Sequence, residues 1–265
     1  MLGAIIGDII GSIYKWNNIK TKQFPLFKPE SGITNDSILT IAVADAILSD
    51  CNYTYFIKKY ARTYPDKGYG SRFHNWILSD SSTPYNSCGI GSAIRVSPIG
   101  WAFETITKVS IEAKRSSEIT HNHPEGIKGA QAIASAIYLA RIDCTKKEIK
   151  DYIESAFNYN LSREINNIRK TYKFNVSCQG TVPEAIIAFL ESRTFIDAIR
   201  TAVSIGGDSD TIASITGAIA EAYYKDIPSP IIRLALKRLN PNLKNIIAKF
   251  RRKYNTKLKG EALWN

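Results

Sequence analysis

The residues best suited to do chemistry in this 265-residue chain lie in one stretch, Gly206-Gly207-Asp208-Ser209-Asp210-Thr211. Two carboxylates two positions apart, with a hydroxyl beside them, form an oxygen-rich cluster of the kind that hard cations such as magnesium take as ligands. The glycines ahead of it permit a sharp turn or a close approach of backbone to a ligand. Ile212, Ile215, Ile219 and Ala222 follow at helical spacing, so the cluster stands at the entrance of a buried helix. A single capping residue would serve that helix. A second carboxylate and a threonine exceed what a cap needs, but this stretch alone leaves metal binding and ordinary capping both open.

Thr34-Asn35-Asp36-Ser37 repeats the design ahead of Ile38, Leu39, Ile41 and Ala42. Two such entrances raise the prospect of one shared site, and bare N–H groups at helix N-termini suit phosphate. Between Pro84 and Arg95, Ser87, Gly89 and Gly91 form a loop able to cradle phosphates through backbone amides. His121 and His123 lack the partner cysteines or histidines of a zinc site. Ligand contact or loop hydrogen bonding is the expectation for His121. Cys178 has no identifiable histidine partner and reads as a buried thiol.

These residues need elements to position them. Met1 to Tyr14 carries glycine at 3, 7 and 11, a smooth stripe against which a second helix can pack closely. The same spacing serves membrane helices, but Asp8 and the short length argue against that here. Asn17 to Ile33 reads as loop. Helices are expected over Tyr53–Tyr64 and Ser71–Leu78, from near Thr105, and over Lys128–Arg141. Lys146–Phe157 follows, entered through a Thr145/Glu148 capping box. Pro183–Ser192 starts with proline at a favoured first position, and Phe195–Ser204 leads back to GGDSDT. Strand signals are few, and no tandem repeat or internal linker is visible. The expectation is a mostly α-helical single domain over 1–265.

Lysine and arginine number 35 against 24 acidic residues, a net charge of +11. Much of the excess falls in Arg233–Lys259 and is expected to be a solvated basic tail. No zinc finger or RNA-binding signature supports nucleic acid as a partner. No apolar run spans a bilayer, and the N-terminus lacks the basic lead-in of a signal peptide. Four cysteines without a CxxC pair read as free thiols in a reducing, cytoplasmic setting.

Taken together and in order, several stretches resemble the ADP-ribosylglycohydrolase family, over roughly Met1 to Pro228. They are GAIIGDIIGS at the N-terminus, TNDS at 34–37, YNSCGIGSAIRVSPIGW at 85–101, THNHPEG at 120–126, SCQGTVPEAI at 177–186 and GGDSDT. The resemblance implies an all-α orthogonal helical bundle with a dinuclear magnesium site in a cleft. It also implies an activity, removal of ADP-ribose from a modified side chain or small acceptor. Carried over by position, Thr34, Asn35, Asp36, Asp208, Asp210 and Thr211 would hold metal. Asp36 and Asp208 would be catalytic, Ser87, Gly89 and Gly91 would lie along the diphosphate, and His121 would sit near the ligand. ADP-ribose or an ADP-ribosylated protein is the partner implied.

Three positions depart from the family pattern. Asn35 stands where the family has aspartate, Lys15 where it has a glutamate associated with the second metal, and Ile90 where the glycine loop has a polar residue. The first two remove two negative charges and add one positive, a shift of +3. Metal affinity is expected to fall, to the point where one of the family's two magnesium sites is lost. The alternative to hydrolysis is a pseudoenzyme that binds ADP-ribose or a related nucleotide, with Lys15 as a fixed cation in place of a metal.

Overall fold

The computed structural model describes residues 1–254, which form fourteen α-helices. In chain order they are α1 (Leu2–Gly11), α2 (Asn35–Leu48), α3 (Tyr53–Thr63), α4 (Ser71–Leu78), α5 (Ser97–Ala102), α6 (Ile106–Glu118) and α7 (Pro124–Arg141). Then come α8 (Lys146–Phe157), α9 (Ile165–Thr171), α10 (Cys178–Leu190), α11 (Phe195–Ile205), α12 (Ser209–Tyr224), α13 (Ser229–Leu236) and α14 (Pro241–Lys253). Among the described residues there is no strand, only a single antiparallel bridge between Gly89 and Ser177. The all-α expectation holds. No described helix is long and apolar enough to cross a membrane.

The axis of the fold is α12, buried from Ser209 to Ala222 and packed by α1, α7, α10 and α11. A helix enclosed on every side has no polar face to show, which is why this one reads as alternating isoleucine, alanine, serine and glycine. The glycine stripe of α1 lies directly on it. A Cβ added at Gly7 would fall on the Ala213 carbonyl, so the two backbones approach as only glycine allows. This contact sets the end of α1 beside the start of α12.

The turn into α12 is clamped. Gly206 and Gly207 both have positive φ, +76° and +69°, a conformation in which glycine carries no steric cost. Asn18 accepts from the Gly207 N–H at 2.6 Å and donates to its carbonyl at 3.0 Å. Lys20 donates to the Ile205 carbonyl at 2.5 Å. The 17–33 segment is therefore loop, as expected, and it is the loop that holds the acidic turn in place.

Some boundaries differ from expectation. α7 begins at Pro124 instead of Lys128, because the His123 ring caps it by accepting from the Glu125 N–H at 3.1 Å. α10 begins at Cys178, so Pro183 lies inside the helix and not at its first position. Ser177 supplies the cap by accepting from Gly180 N–H at 3.2 Å. The basic stretch 233–259 is not a solvated tail over its described part. It forms most of α13 and α14, with Leu243, Ile247 and Phe250 buried in the core and α14 packed on α2. Arg238 donates to the Ser31 and Lys28 carbonyls at 2.8 and 3.0 Å. The end of that stretch, including Lys257 and Lys259, lies outside the described residues.

Candidate functional site

Where α1 ends and α2 and α12 begin, a cleft of about 470 Å³ opens. Asn35, Asp36, Asp208 and Thr211 line one end, and Ser87, Gly89, Gly91 and His121 line the other. Thr34 and Asp210 do not reach the cavity. Thr34 stands behind Asp36, and Asp210 is fully buried beneath Lys15. A polar hollow of about 550 Å³ beside α3 is larger. Its buried cation Lys58 and neighbouring Arg62 are engaged by carbonyls at the end of α4, which accounts for their charge structurally.

The acidic end rests on a residue that sequence reasoning used only to argue against a membrane. Asp8, buried in α1, accepts from Thr34 N–H at 2.9 Å and Thr34 Oγ1 at 2.6 Å. It also accepts from Ser37 N–H at 3.1 Å and from the Ser37 hydroxyl. Four donors let a carboxylate stay inside a hydrophobic helix. They also fix the first turn of α2, on which Asp36 stands. The readable signal was that Asp8 is the one charged residue in an otherwise apolar helix.

Asp36 accepts from Thr211 Oγ1 at 2.8 Å and from the Asn35 amide at 2.8 Å. Asp208 occupies the N-cap position of α12 but makes no capping bond with its side chain. Lys15, at the end of a 3-10 turn after α1, takes it instead. The ammonium is 2.7 Å from Asp208 Oδ1 and 3.0 Å from Asp210 Oδ2. Burial works against that ammonium, but Asp210, Asp208 and Asp36 outweigh it and hold its pKa above the ordinary lysine value. Burial, then repulsion by Asp8 and Asp208, pushes the Asp36 carboxyl up to about 8 despite the pull of Lys15. Asp210 is raised well above the usual carboxylate range, by burial first and then by Asp36 and Asp208. The floor thus carries more negative charge than the protein's own donors neutralise.

These residues fit a hard divalent cation in donor chemistry. Asp210 Oδ1 is fully buried and has no hydrogen-bond partner among the described residues. No three of the described His, Cys, Asp and Glu side chains form a metal-binding group by themselves. The oxygens that would hold a cation are those of Asp36, the free Asp210 Oδ1 and the neutral oxygens of Asn35 and Thr211, while the Thr34 hydroxyl is already given to Asp8.

The other end is built around a buried arginine. Arg95 is fully buried and donates to the Ser116 and Ser117 carbonyls and, at 2.9 Å, to Thr120 Oγ1. Burial lowers it to about 10, so it stays charged at neutral pH. Thr120 Oγ1 lies 2.7 Å from His121 Nδ1. Arginine only donates, so the Thr120 oxygen accepts from it, and its own proton is free to go to Nδ1. With Nδ1 accepting, Nε2 carries the ring proton, and Nε2 is the nitrogen next to the loop: a Cβ at Gly91 would lie 3.0 Å from it. Burial, with Arg95 and Arg72 nearby, drives the His121 pKa well below its usual value, so the ring is a neutral donor. The glycine loop itself is partly engaged. Gly89 N–H donates to Ser87 Oγ at 3.1 Å and Ile90 N–H to the Val176 carbonyl at 2.8 Å. His121 and exposed Arg72 line the cleft beside this loop. Cys178 is buried, with its thiol pushed up to about 12 by burial, as expected of a structural thiol.

The mouth is aromatic, which sequence reasoning missed. Trp16, 77% exposed, stacks on Phe174 with ring centroids 5.2 Å apart, and both line the cleft. Arg72 lies over the Tyr85 ring at 5.1 Å.

A family described as ADP-ribosylglycohydrolase matches residues 1–256. The chain is 25% identical to ADP-ribosylhydrolase ARH3 of Xenopus tropicalis, over 87% of each chain. It is 25% identical to ADP-ribosylhydrolase ARH3 of Homo sapiens, over 84% of each. It is 22% identical to ADP-ribosylarginine hydrolase Tri1 of Pseudomonas putida, over 84% of this chain and 69% of that one. Among solved structures, an "ADP-ribosylglycohydrolase-related protein complex" shares the fold with a TM-score of 0.71 at 20% identity, over 97% of both chains.

Proposed function

The chain belongs to the ADP-ribosylglycohydrolase family, and from that premise we propose that its cleft hydrolyses the glycosidic bond between ADP-ribose and an acceptor. The observation that carries this is one cavity with a carboxylate floor, Asp36 and Asp208, facing a donor wall, His121 and Arg72. A diphosphate needs the second, and a sugar carbon that gains positive charge needs the first.

In the reaction, the bond from the anomeric carbon to the acceptor nitrogen or oxygen breaks, and water adds to that carbon. The acceptor leaves with a proton. His121 Nε2–H and Arg72 hold the diphosphate and fix which face of the ribose meets the floor. Asp36 and Asp208 stabilise the oxocarbenium-like charge and take the proton of the attacking water. Thr211 and Asn35, both bonded to Asp36, set the orientation of its carboxylate. Magnesium, which Asp36, Asp210, Asn35 and Thr211 would hold, would supply positive charge for the ribose hydroxyls and make water more acidic.

The Lys15 ion pairs favour a second reading, in which the same cleft binds ADP-ribose without turnover. One experiment separates the two. ADP-ribose release is followed from an ADP-ribosyl-arginine protein and an ADP-ribosyl-serine peptide, with magnesium and with chelator, beside Asp36→Asn. Magnesium-dependent release from either substrate, lost in Asp36→Asn, is the expected result. ADP-ribose binding by calorimetry with no release from either substrate would replace hydrolysis with recognition.

A further inference from the structure

We infer that the acidic floor takes a single divalent cation and that Lys15 permanently supplies the positive charge a second one would bring. This deepens the reading of the floor as a cation site and does not depend on turnover.

The charges give the number. Fully ionised, as a bound cation would hold them, Asp36, Asp208 and Asp210 carry three negative charges in one buried place, and Lys15 returns one. Two remain, the charge of one divalent ion. Asp8, the fourth acid nearby, is held by four donors behind Thr34 and needs no cation.

The geometry says where. Lys15 Nζ occupies Asp208 Oδ1 and Asp210 Oδ2, so the Asp208 side of the floor is closed by an ammonium at hydrogen-bond distance. The Asp210 Oδ1 atom, buried and unpartnered among the described residues, stays available. Asp36 is bonded only by a hydroxyl and an amide, neutral groups that a cation displaces or joins. The oxygens that Lys15 does not take, Asp210 Oδ1 and those of Asp36, are thus the ones left to a cation. Lys15 is itself pinned, with a side chain only 19% exposed. An ion next to Asp208 would meet the ammonium at contact distance, where like charges in a partly buried site repel strongly.

The test uses manganese alone, counted by electron paramagnetic resonance as it is titrated into the intact chain without substrate. One bound ion per chain is expected, and Lys15→Glu is expected to bind two, with the spectral signature of coupled ions. Two ions in the unaltered chain, none, or still one in Lys15→Glu would each overturn the inference. Lys15→Met removes the charge without adding a ligand and guards against a Glu variant that fails to fold. It should bind its first ion at least about tenfold more tightly, since the nearby repulsion is gone; unchanged affinity would also overturn the inference. A chain that binds one ion yet never releases ADP-ribose keeps this inference and loses the hydrolase reading. Release with two bound ions does the reverse.

Discussion

The two ends of the cleft each hold a cation, half-buried Lys15 at one and fully buried Arg95 at the other, and the two are treated in opposite ways. Lys15 faces two carboxylates at 2.7 and 3.0 Å, and its charge is absorbed by acids that outnumber it. Arg95 has no acidic partner among the described residues and meets only carbonyls and the Thr120 hydroxyl. A buried charge without a counter-ion is costly. It persists where hydrogen bonds hold it and where its field has a use. Here that field falls on His121, where it adds to burial, the larger cause, in keeping the ring neutral beside the loop where an anion would lie. One end is therefore left negative and the other positive, a polarity matched to a ligand with a diphosphate at one end and a reacting, positively charging carbon at the other.

The largest effect should come from moving one end relative to the other. Gly7→Ala would press a methyl group onto the Ala213 carbonyl and force α1 off α12. A loss of about 3 kcal/mol or more of stability is expected by thermal unfolding. Gly70→Ala, with open space around it, should stay within about 0.5 kcal/mol. Equal losses in both would remove the close α1–α12 contact as the device that sets the acidic end.

Next come the two cations themselves. Arg95→Met strips donors from two buried carbonyls and from Thr120, with an expected cost of about 3 kcal/mol. Lys15→Met leaves two carboxylates unpaired nearer to solvent, for about 2 kcal/mol. Added magnesium should restore most of the Lys15→Met loss and none of the Arg95→Met loss, as read by urea unfolding with and without the metal. Rescue of both, or of neither, would mean that the two ends do not differ in polarity as described.

Much of this molecule was legible in its residues, and the failures have physical causes. The glycine stripe of α1 and the apolar spacing after GGDSDT gave the central helix pair, because close packing and enclosure leave clear marks on composition. The site residues were readable as oxygen clusters at helix entrances, and the cleft brings most of them together. Asp8 and Arg95 were not singled out, since a buried charge is explained by partners distant in sequence. Asp8 finds them at 34 and 37, and Arg95 at 116, 117 and 120. The Trp16–Phe174 stack joins residues that nothing local links. Pro183 misled because it is the sixth residue of α10, beyond the first turn where proline is favoured, and the Ser177 cap sets the start of the helix instead. The 233–259 stretch misled because charge density hid the buried spacing of Leu243, Ile247 and Phe250.

The smallest effect is also the most direct test of the positive end. The folded His121 pKa lies well below the unfolded value of about 6.5. Above pH 6.5 the ring is neutral in both states, and this contribution to stability is fully present. As pH falls below 6.5 the unfolded chain takes up a proton that the folded chain refuses. Stability is then lost at up to about 1.4 kcal/mol per pH unit, until the folded pKa is reached. Between pH 7 and pH 5 the unaltered chain should lose more stability than His121→Gln, measured by urea unfolding. Thr120 decides which ring nitrogen is protonated. In Thr120→Ser the hydroxyl remains, and nitrogen-15 chemical shifts should still report a protonated Nε2. Thr120→Val removes the hydroxyl, so Nδ1 loses its donor and the shifts should move toward a mixture of tautomers. If Nδ1 already carries the proton in the unaltered chain, Thr120 accepts from both neighbours and the donor facing the glycine loop is lost. Anion recognition at that end would then fall to Arg72 alone, and the contrast between the two ends would rest on Arg95's field without a group to deliver it.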